Sequence, residues 1–291
     1  MPFADAAGIK LYYEEAGTGT PIVFVHEFAT DHRGWEPQMR HFPRRHRCVA
    51  FNARGYPPSD VPAGLDAYGQ EIAAGDIAHV MRHLGIGAAH IVGLSMGGNA
   101  TLHFGLLHPE MALSLTVAGA GYGSGPGQTE AFRADAVAMA ERYESHGSRA
   151  VAEAYSVGSA RVQYREHDPR GWAQFREILA QHDATGAALT MRGVQARRPT
   201  FGDLADGLKR LAIPTLIVAG DEDDLSLDAS LWLKRTVPSA ALWVLPKTGH
   251  MLNLEDATAF NRGLEDFIAT VEAGRWVARD LENLPGPALF S

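Results

Sequence analysis

The sequence predicts an α/β fold in which crossover helices cover a mostly parallel sheet, and three observations carry that expectation. Short apolar, β-branched runs alternate with helical periodicity across the first 120 residues and again from about residue 211 onward, the order that βαβ units impose. Most of these runs are continuously apolar, as strands covered on both faces require. One run, His90-Ile91-Val92, passes directly into Gly93-Leu94-Ser95-Met96-Gly97-Gly98 and then into the helical stretch from Asn99 to Leu107, so a strand meets a helix through a sharp turn.

Strands are expected at Ile9 to Glu14, Ile22 to His26, Cys48 to Asn52, His90 to Leu94, Leu113 to Ala118, Pro214 to Ala219 and Leu242 to Leu245. Before the fourth of these, Ala73, Ile77, Val80, Met81 and Leu84 share one face of a helix, and Gly85 and Gly87 give it a permissive end. Phe260, Leu264, Phe267, Ile268 and Val271 form a second such face. From Tyr122 to Arg210 strand-like runs give way to helical stretches such as Thr129 to His146 and Trp172 to Ala180, entered through the flexible Gly121-Tyr122-Gly123-Ser124-Gly125-Pro126-Gly127. An all-helical insert between strands of a parallel sheet reads as a cap above the strand ends. The expected organisation is therefore a core of residues 1–121 and 211–291 with a cap of residues 122–210. The cap aromatics Phe132, Tyr143, Tyr155, Tyr164, Trp172 and Phe175 read mainly as its own core. Residues 275–291, with Pro285 and Pro287, read as an extended surface segment.

Composition excludes several functions. The chain has 291 residues, 46% hydrophobic and 21% charged, enough to bury a large core. No apolar run approaches the roughly 18 to 20 residues of a membrane span, and Met1-Pro2-Phe3-Ala4-Asp5 lacks the basic start of a secretory signal. Neither membrane insertion nor export is expected, which points to the cytoplasm. Cys48 is the only cysteine, so no intramolecular disulfide can form. A formal charge of −8 argues against nucleic acid, whose phosphates need a basic footprint. Among the thirteen histidines, His79 and His83 lie four apart on a helix without the glutamate of a zinc-binding pair, and no metal site is expected.

The chemistry starts at Ser95. A serine in a strand–turn–helix bend adopts a strained backbone that lifts its hydroxyl above the sheet, with small neighbours relieving the crowding. A serine hydroxyl needs a base to accept its proton and an acid to orient that base. His250, in Lys247-Thr248-Gly249-His250-Met251, follows the last strand and supplies the base. The acid should follow the preceding strand, where Gly220-Asp221-Glu222-Asp223-Asp224 stands. Asp223, fourth from Gly220, is placed to return over the sheet end, leaving Asp221 and Asp224 to solvent. The Met96 amide, at the helix start, points to the space above Ser95 as an oxyanion donor.

The order Ser95, Asp223, His250 closely resembles that of the α/β-hydrolase superfamily, and the resemblance extends through His26-Glu27-Phe28-Ala29-Thr30-Asp31-His32-Arg33-Gly34-Trp35 and Asn52-Ala53-Arg54-Gly55-Tyr56-Pro57-Pro58-Ser59-Asp60. It implies a mostly parallel eight-stranded sheet with a helical cap after strand six, Phe28 N–H as the second oxyanion donor, and His26, Glu27 and Trp35 beside the site. Relatives usually carry Gly at position 27, and many have Asp at 52 and Gly at 57. A carboxylate at Glu27 opposes an oxyanion unless it turns away, is paired, for example with Arg54 or Arg33, or is protonated; a structural pairing outside the pocket is the favoured expectation.

Serine at the elbow separates the chain from haloalkane dehalogenases and epoxide hydrolases, which carry Asp there. The resemblance implies a small-molecule ester or lactone substrate and no cofactor, with similarity to 3-oxoadipate enol-lactonases, carboxylesterases and cofactor-free haloperoxidase or perhydrolase relatives. Carbon–carbon bond hydrolysis in aromatic catabolism and a weakly catalytic small-ligand receptor remain as alternatives. One of the cap arginines Arg133, Arg161, Arg165, Arg192, Arg197 and Arg198 is a candidate for a substrate carboxylate, although most are expected to be solvated. A homodimer through the cap is open, and nothing in the sequence requires it.

Overall fold

The computed structural model describes residues 2–125 and 127–280; the expectations for Pro126 and for the tail beyond Asp280 lie outside them. In chain order come β1 (Phe3–Ala6), β2 (Ile9–Ala16), β3 (Thr20–Val25), α1 (Glu36–His41), β4 (His46–Phe51), α2 (Gln70–His83), β5 (Ala89–Leu94), α3 (Met96–Leu107) and β6 (Ala112–Ala118). Then follow α4 (Thr129–Tyr155), α5 (Val162–His167), α6 (Pro169–Ala180), α7 (Ala184–Thr190) and α8 (Ala205–Lys209). The chain returns to the sheet with β7 (Thr215–Gly220), α9 (Asp224–Thr236), β8 (Ala240–Leu245), α10 (Leu252–Glu255) and α11 (Ala257–Glu272).

The eight strands lie in the order β1-β2-β4-β3-β5-β6-β7-β8. From β4 to β8 all neighbours are parallel, and β2 joins β4 antiparallel with β1 folded against it. The fold is the mostly parallel eight-stranded sheet expected. The strand that the residue pattern did not mark is β1, whose four residues include only one large apolar side chain. Its signal lay in the turn instead: Ala7 and Gly8 both adopt positive φ, as a tight hairpin requires, and Asp5 Oδ1 accepts from the Gly8 amide at 2.6 Å.

Both faces of the sheet are covered, and successive residues of a strand feed opposite cores. Val23 and Val25 of β3 join Ile77, Val80 and Met81 of α2 and Phe104 of α3, whereas Ile22 and Phe24 join Trp35 and the Phe260, Leu264, Phe267 face of α11. Each large side chain buried this way contributes about 1.5–3 kcal/mol.

Between β6 and β7 the chain is helical. The expected helix ending at His146 continues to Tyr155 after a break at Gly147, whose φ of 74° suits glycine. Tyr143, Tyr164, Phe175 and Leu179 of this segment share one cluster with Phe28, Tyr56 and Met251 from loops, and Met96 from the start of α3, all following the C-terminal ends of strands. The helical segment therefore packs over the end of the sheet where the sequence places the chemistry.

The α11 face depends on one close approach. A Cβ on Gly263 would lie 2.2 Å from the Trp243 ring of β8. Gly263→Ala is expected to lower stability by about 1–3 kcal/mol in urea denaturation, and an unchanged midpoint would show that the helix can move away.

Candidate active site

Ser95 caps the start of α3 with φ 54° and ψ −110°, one of three described non-glycine residues with positive φ. Such a conformation costs about 1–3 kcal/mol and persists only where its surroundings impose it. Here they do. A Cβ on Gly93 would stand 2.2 Å from Gly97 O, one on Gly97 2.1 Å from Val25 O, and one on Gly98 3.0 Å from Ala118 O. The glycines let α3 start in contact with β3 and β6, and the Ser95 amide donates to Ala118 O at 2.8 Å. The half-buried side chain of Ser95 faces a cavity of about 630 Å³.

His250 reaches the same cavity from the loop after β8. Its ring lies over Gly119, where a Cβ would be 3.5 Å from its Cε1 and Nδ1. Gly119 follows Ala118, the residue that holds the Ser95 amide, so the imidazole is brought beside the elbow. Asp223 Oδ2 stands 2.8 Å from His250 Nδ1 and also accepts from the Ser226 hydroxyl. Burial pushes the Asp223 carboxyl up, but His250 and Ser226 outweigh it and hold it below its ordinary value. Burial likewise lowers His250, and the Asp223 carboxylate reverses this, leaving the imidazole above its ordinary value. Among the described residues no hydrogen bond joins Ser95 Oγ to His250; His250 Nε2 lies 3.9 Å from Glu27 Oε2.

Two carboxylates that the sequence reading did not use for the site fix the histidine loop. Glu255 accepts from the amides on either side of His250, Gly249 at 2.7 Å and Met251 at 2.8 Å. Asp221, exposed as expected, nevertheless accepts from the Thr248 amide at 3.2 Å. The recognisable signals were a glutamate five residues beyond the histidine and a serine three residues beyond Asp223.

After β3, Phe28 enters the cavity wall, and its carbonyl accepts from the buried Tyr56 hydroxyl at 2.9 Å. Asn52 explains its own departure from the usual Asp: Nδ2 donates to Pro57 O at 2.9 Å and Tyr56 O at 3.2 Å, which a carboxylate could not do. His26 lies behind this loop rather than on the cavity. Its Nδ1 donates to Glu27 O at 2.7 Å and Nε2 accepts from the Ala53 amide at 3.0 Å, and burial lowers its pKa. Trp35 is not brought to the site. It packs under the sheet, with ring centroids 5.1 Å from Phe24 and 6.1 Å from Phe260, because its helical turn faces the α11 core.

Glu27 has a different partner from those expected. Arg54 binds Asp76 and Arg33 binds Asp31, each at 2.7 Å, whereas Glu27 Oε2 accepts from Arg161 Nη2 at 2.8 Å. Both side chains are 1% exposed. Arg161 comes from the turn before α5, donates to Tyr155 Oη at 3.0 Å, and stands on the cavity wall, so the pairing borders the pocket rather than lying outside it. Burial disfavours the Arg161 charge, but Glu27 outweighs that and raises its pKa. Of the other cap arginines named above, Arg165 and Arg197 are exposed, Arg133 and Arg192 are half-buried, and Arg198 is buried.

Breaking a buried ion pair from one side strands a charge and typically costs about 3–5 kcal/mol. Glu27→Gln and Arg161→Met are each expected to cost about that much in urea denaturation, and the double variant less than the sum. Additive losses would show that the two groups do not neutralise one another.

The family described as alpha/beta hydrolase fold matches residues 20–154. The chain is 24% identical over 271 residues to 2-hydroxy-6-oxononadienedioate/2-hydroxy-6-oxononatrienedioate hydrolase of Paraburkholderia xenovorans strain LB400, covering 90% of this chain and 91% of that protein. Its fold matches the crystal structure of the enol-lactonase from Burkholderia xenovorans LB400 with a TM-score of 0.81 at 25% identity, over 92% of this chain and all of that one. It matches a thermophilic esterase from Thermogutta terrifontis with a TM-score of 0.81 at 26% identity, over 93% and 98% of the two chains. Both in sequence and in the order of its sheet and helices, the chain is similar to these hydrolases and is an enzyme with the α/β-hydrolase fold.

Proposed function

We propose that the chain is a serine hydrolase that cleaves a carboxylic ester or lactone through an acyl-enzyme intermediate. The observation that carries this reading is the Asp223–His250 pair at 2.8 Å, seated over Gly119 beside the strained Ser95 on one cavity. Residues 122–210 act as a cap over that cavity. The likeness to an enol-lactonase and an esterase supports the substrate class.

In the first half-reaction Ser95 Oγ attacks the acyl carbonyl carbon and its proton passes to His250 Nε2. The Ser95–His250 contact closes when substrate displaces the open arrangement, as catalytic hydrogen bonds often tighten only in the complex. Asp223 accepts from Nδ1–H and stabilises the imidazolium. The carbonyl oxygen, now an alkoxide, is held by the Phe28 and Met96 amides. When the tetrahedral centre collapses, the bond to the leaving oxygen breaks and His250 returns its proton to that oxygen. Water then attacks the Ser95 ester, His250 takes its proton, and collapse regenerates the Ser95 hydroxyl and frees the acid. The Arg161 charge offsets Glu27, so the buried carboxylate does not oppose the oxyanion at full strength. These steps call on no cofactor. The same reading, with a single buried thiol, Cys48, suits the reducing cytoplasm.

A second reading, carbon–carbon bond hydrolysis by the same groups, rests on the likeness to the Paraburkholderia dienedioate hydrolase. A substrate panel separates the two: turnover of a 2-hydroxy-6-oxo dienoate without turnover of 4-nitrophenyl esters favours the second.

Ser95→Ala is expected to lower kcat/KM for 4-nitrophenyl butyrate by about 10³-fold or more with the circular dichroism spectrum unchanged; retention of a tenth of the activity would contradict the assignment. The base must be neutral to accept a proton, and Asp223 raises His250 above its ordinary 6.5. The acid limb of the kcat/KM profile is therefore expected above pH 6.5, with activity rising as pH increases through it. A limb below 6.5 would show that another group is titrating.

A further inference from the structure

We propose that the cavity takes an anionic substrate, one that carries a free carboxylate apart from the bond that is cleaved, with Arg198 as its counter-ion. The inference rests on the ester or lactone reading for the cleaved bond, but the anion site stands on its own observations.

Arg198 is 6% exposed and lines the cavity with Ser95 and His250. Its Nη1 donates to Gln195 Oε1 and its Nη2 to Tyr122 O, and its guanidinium carbon sits 4.3 Å from the centroid of the Phe132 ring. These partners orient the group without cancelling its charge. Nε is buried without a partner, and among the described residues no carboxylate forms an ion pair with Arg198. His103, the neighbouring titratable group, is lowered to about 4 by burial and by Arg198, so it is neutral. Burial without a counter-charge also brings Arg198 down to about 9, still protonated at neutral pH.

A desolvated charge is costly unless it is paired, and elsewhere this chain pairs such groups. Arg161, as deeply buried on the same cavity, has Glu27 at 2.8 Å, and Arg54 has Asp76 at 2.7 Å. Charge around the cavity runs the same way. Of the lining cations Arg161 is cancelled by Glu27 and Arg142 is exposed, and the lining acid Asp135 is exposed and accepts from the Tyr122 hydroxyl at 2.7 Å, so Arg198 is the buried charge left over. A single buried and uncompensated guanidinium among apolar walls such as Phe132, Met139 and Val151 fits one carboxylate. The site is also near the elbow. Tyr122 O accepts from Arg198, Ser124 donates to Asn99, and Asn99 Nδ2 donates to Ser95 O at 3.1 Å.

The test compares mono-4-nitrophenyl esters of glutarate, adipate and suberate with the 4-nitrophenyl esters of pentanoate, hexanoate and octanoate. Wild type is expected to prefer the half-ester by about tenfold in kcat/KM, mainly through KM, at one length at least. Arg198→Met should abolish that preference and Arg198→Lys restore part of it. Preference for the neutral ester at every length, or a preference that survives Arg198→Met, overturns the proposal. If Arg198→Met does not fold, the wild-type preference and its reduction in Arg198→Lys decide. If wild type cleaves neither ester, thermal stabilisation by hexanoate beyond that by hexanamide, lost in Arg198→Met or reduced in Arg198→Lys, keeps the anion site while the ester reading fails; equal stabilisation overturns the anion site.

Discussion

The site depends on a steric constraint at the end of β5. The chain turns into α3 within a single residue, and with Gly93, Gly97 and Gly98 packed against Gly97 O, Val25 O and Ala118 O, the turn leaves Ser95 at φ 54°. That strain has two consequences. Ser95 is left on the wall of the cavity, and the Met96 amide, at the first position of α3, has no intrahelical acceptor. The hydrogen bond from Ser95 to Ala118 then ties the elbow to β6, where Gly119 leaves room for the imidazole of His250.

Around that bend the chain repeatedly uses one device: a carboxylate holds a loop in place. Asp221 and Glu255 accept from the amides of the His250 loop, and Asp223 accepts from its ring. The Asp223–His250 pair also links the site to stability. A depressed Asp223 contributes stability that is present above its ordinary pKa and lost as pH falls through its folded value, whereas a raised His250 contributes below 6.5 and loses it as pH rises through its folded value. Glu27 and Arg161, 134 positions apart, bind the helical segment to the sheet at the cavity. The same segment carries Arg198, for which the described residues provide no such partner, and a substrate carboxylate would complete the pattern.

Much of this was legible in the residues. The apolar runs located the strands from β2 to β8, because buried parallel strands carry their signal in consecutive side chains, and the glycines around Ser95 announced the elbow. The acid among four neighbours was legible from its distance to Gly220, and Asp223 is the one that meets His250. Other features were hidden for physical reasons. β1 is short and small-sided. Trp35 lies near the site in sequence, yet the helical turn that bears it faces the opposite core. The partner of Glu27 depends on how the helices after β6 fold back over the sheet, and no local pattern reports a contact of that range. Arg161 and Arg198 look like their solvated neighbours in sequence; only burial separates them.

The central claim is that the strained Ser95 hydroxyl is an activated nucleophile served by His250. The most direct measurement is peptide mapping of the protein after reaction with a fluorophosphonate. One phosphonyl adduct on Ser95 is expected, formed stoichiometrically in the native protein and lost after denaturation or in His250→Ala. An unlabelled Ser95 in native protein, or labelling at an unchanged rate in His250→Ala, would contradict the account.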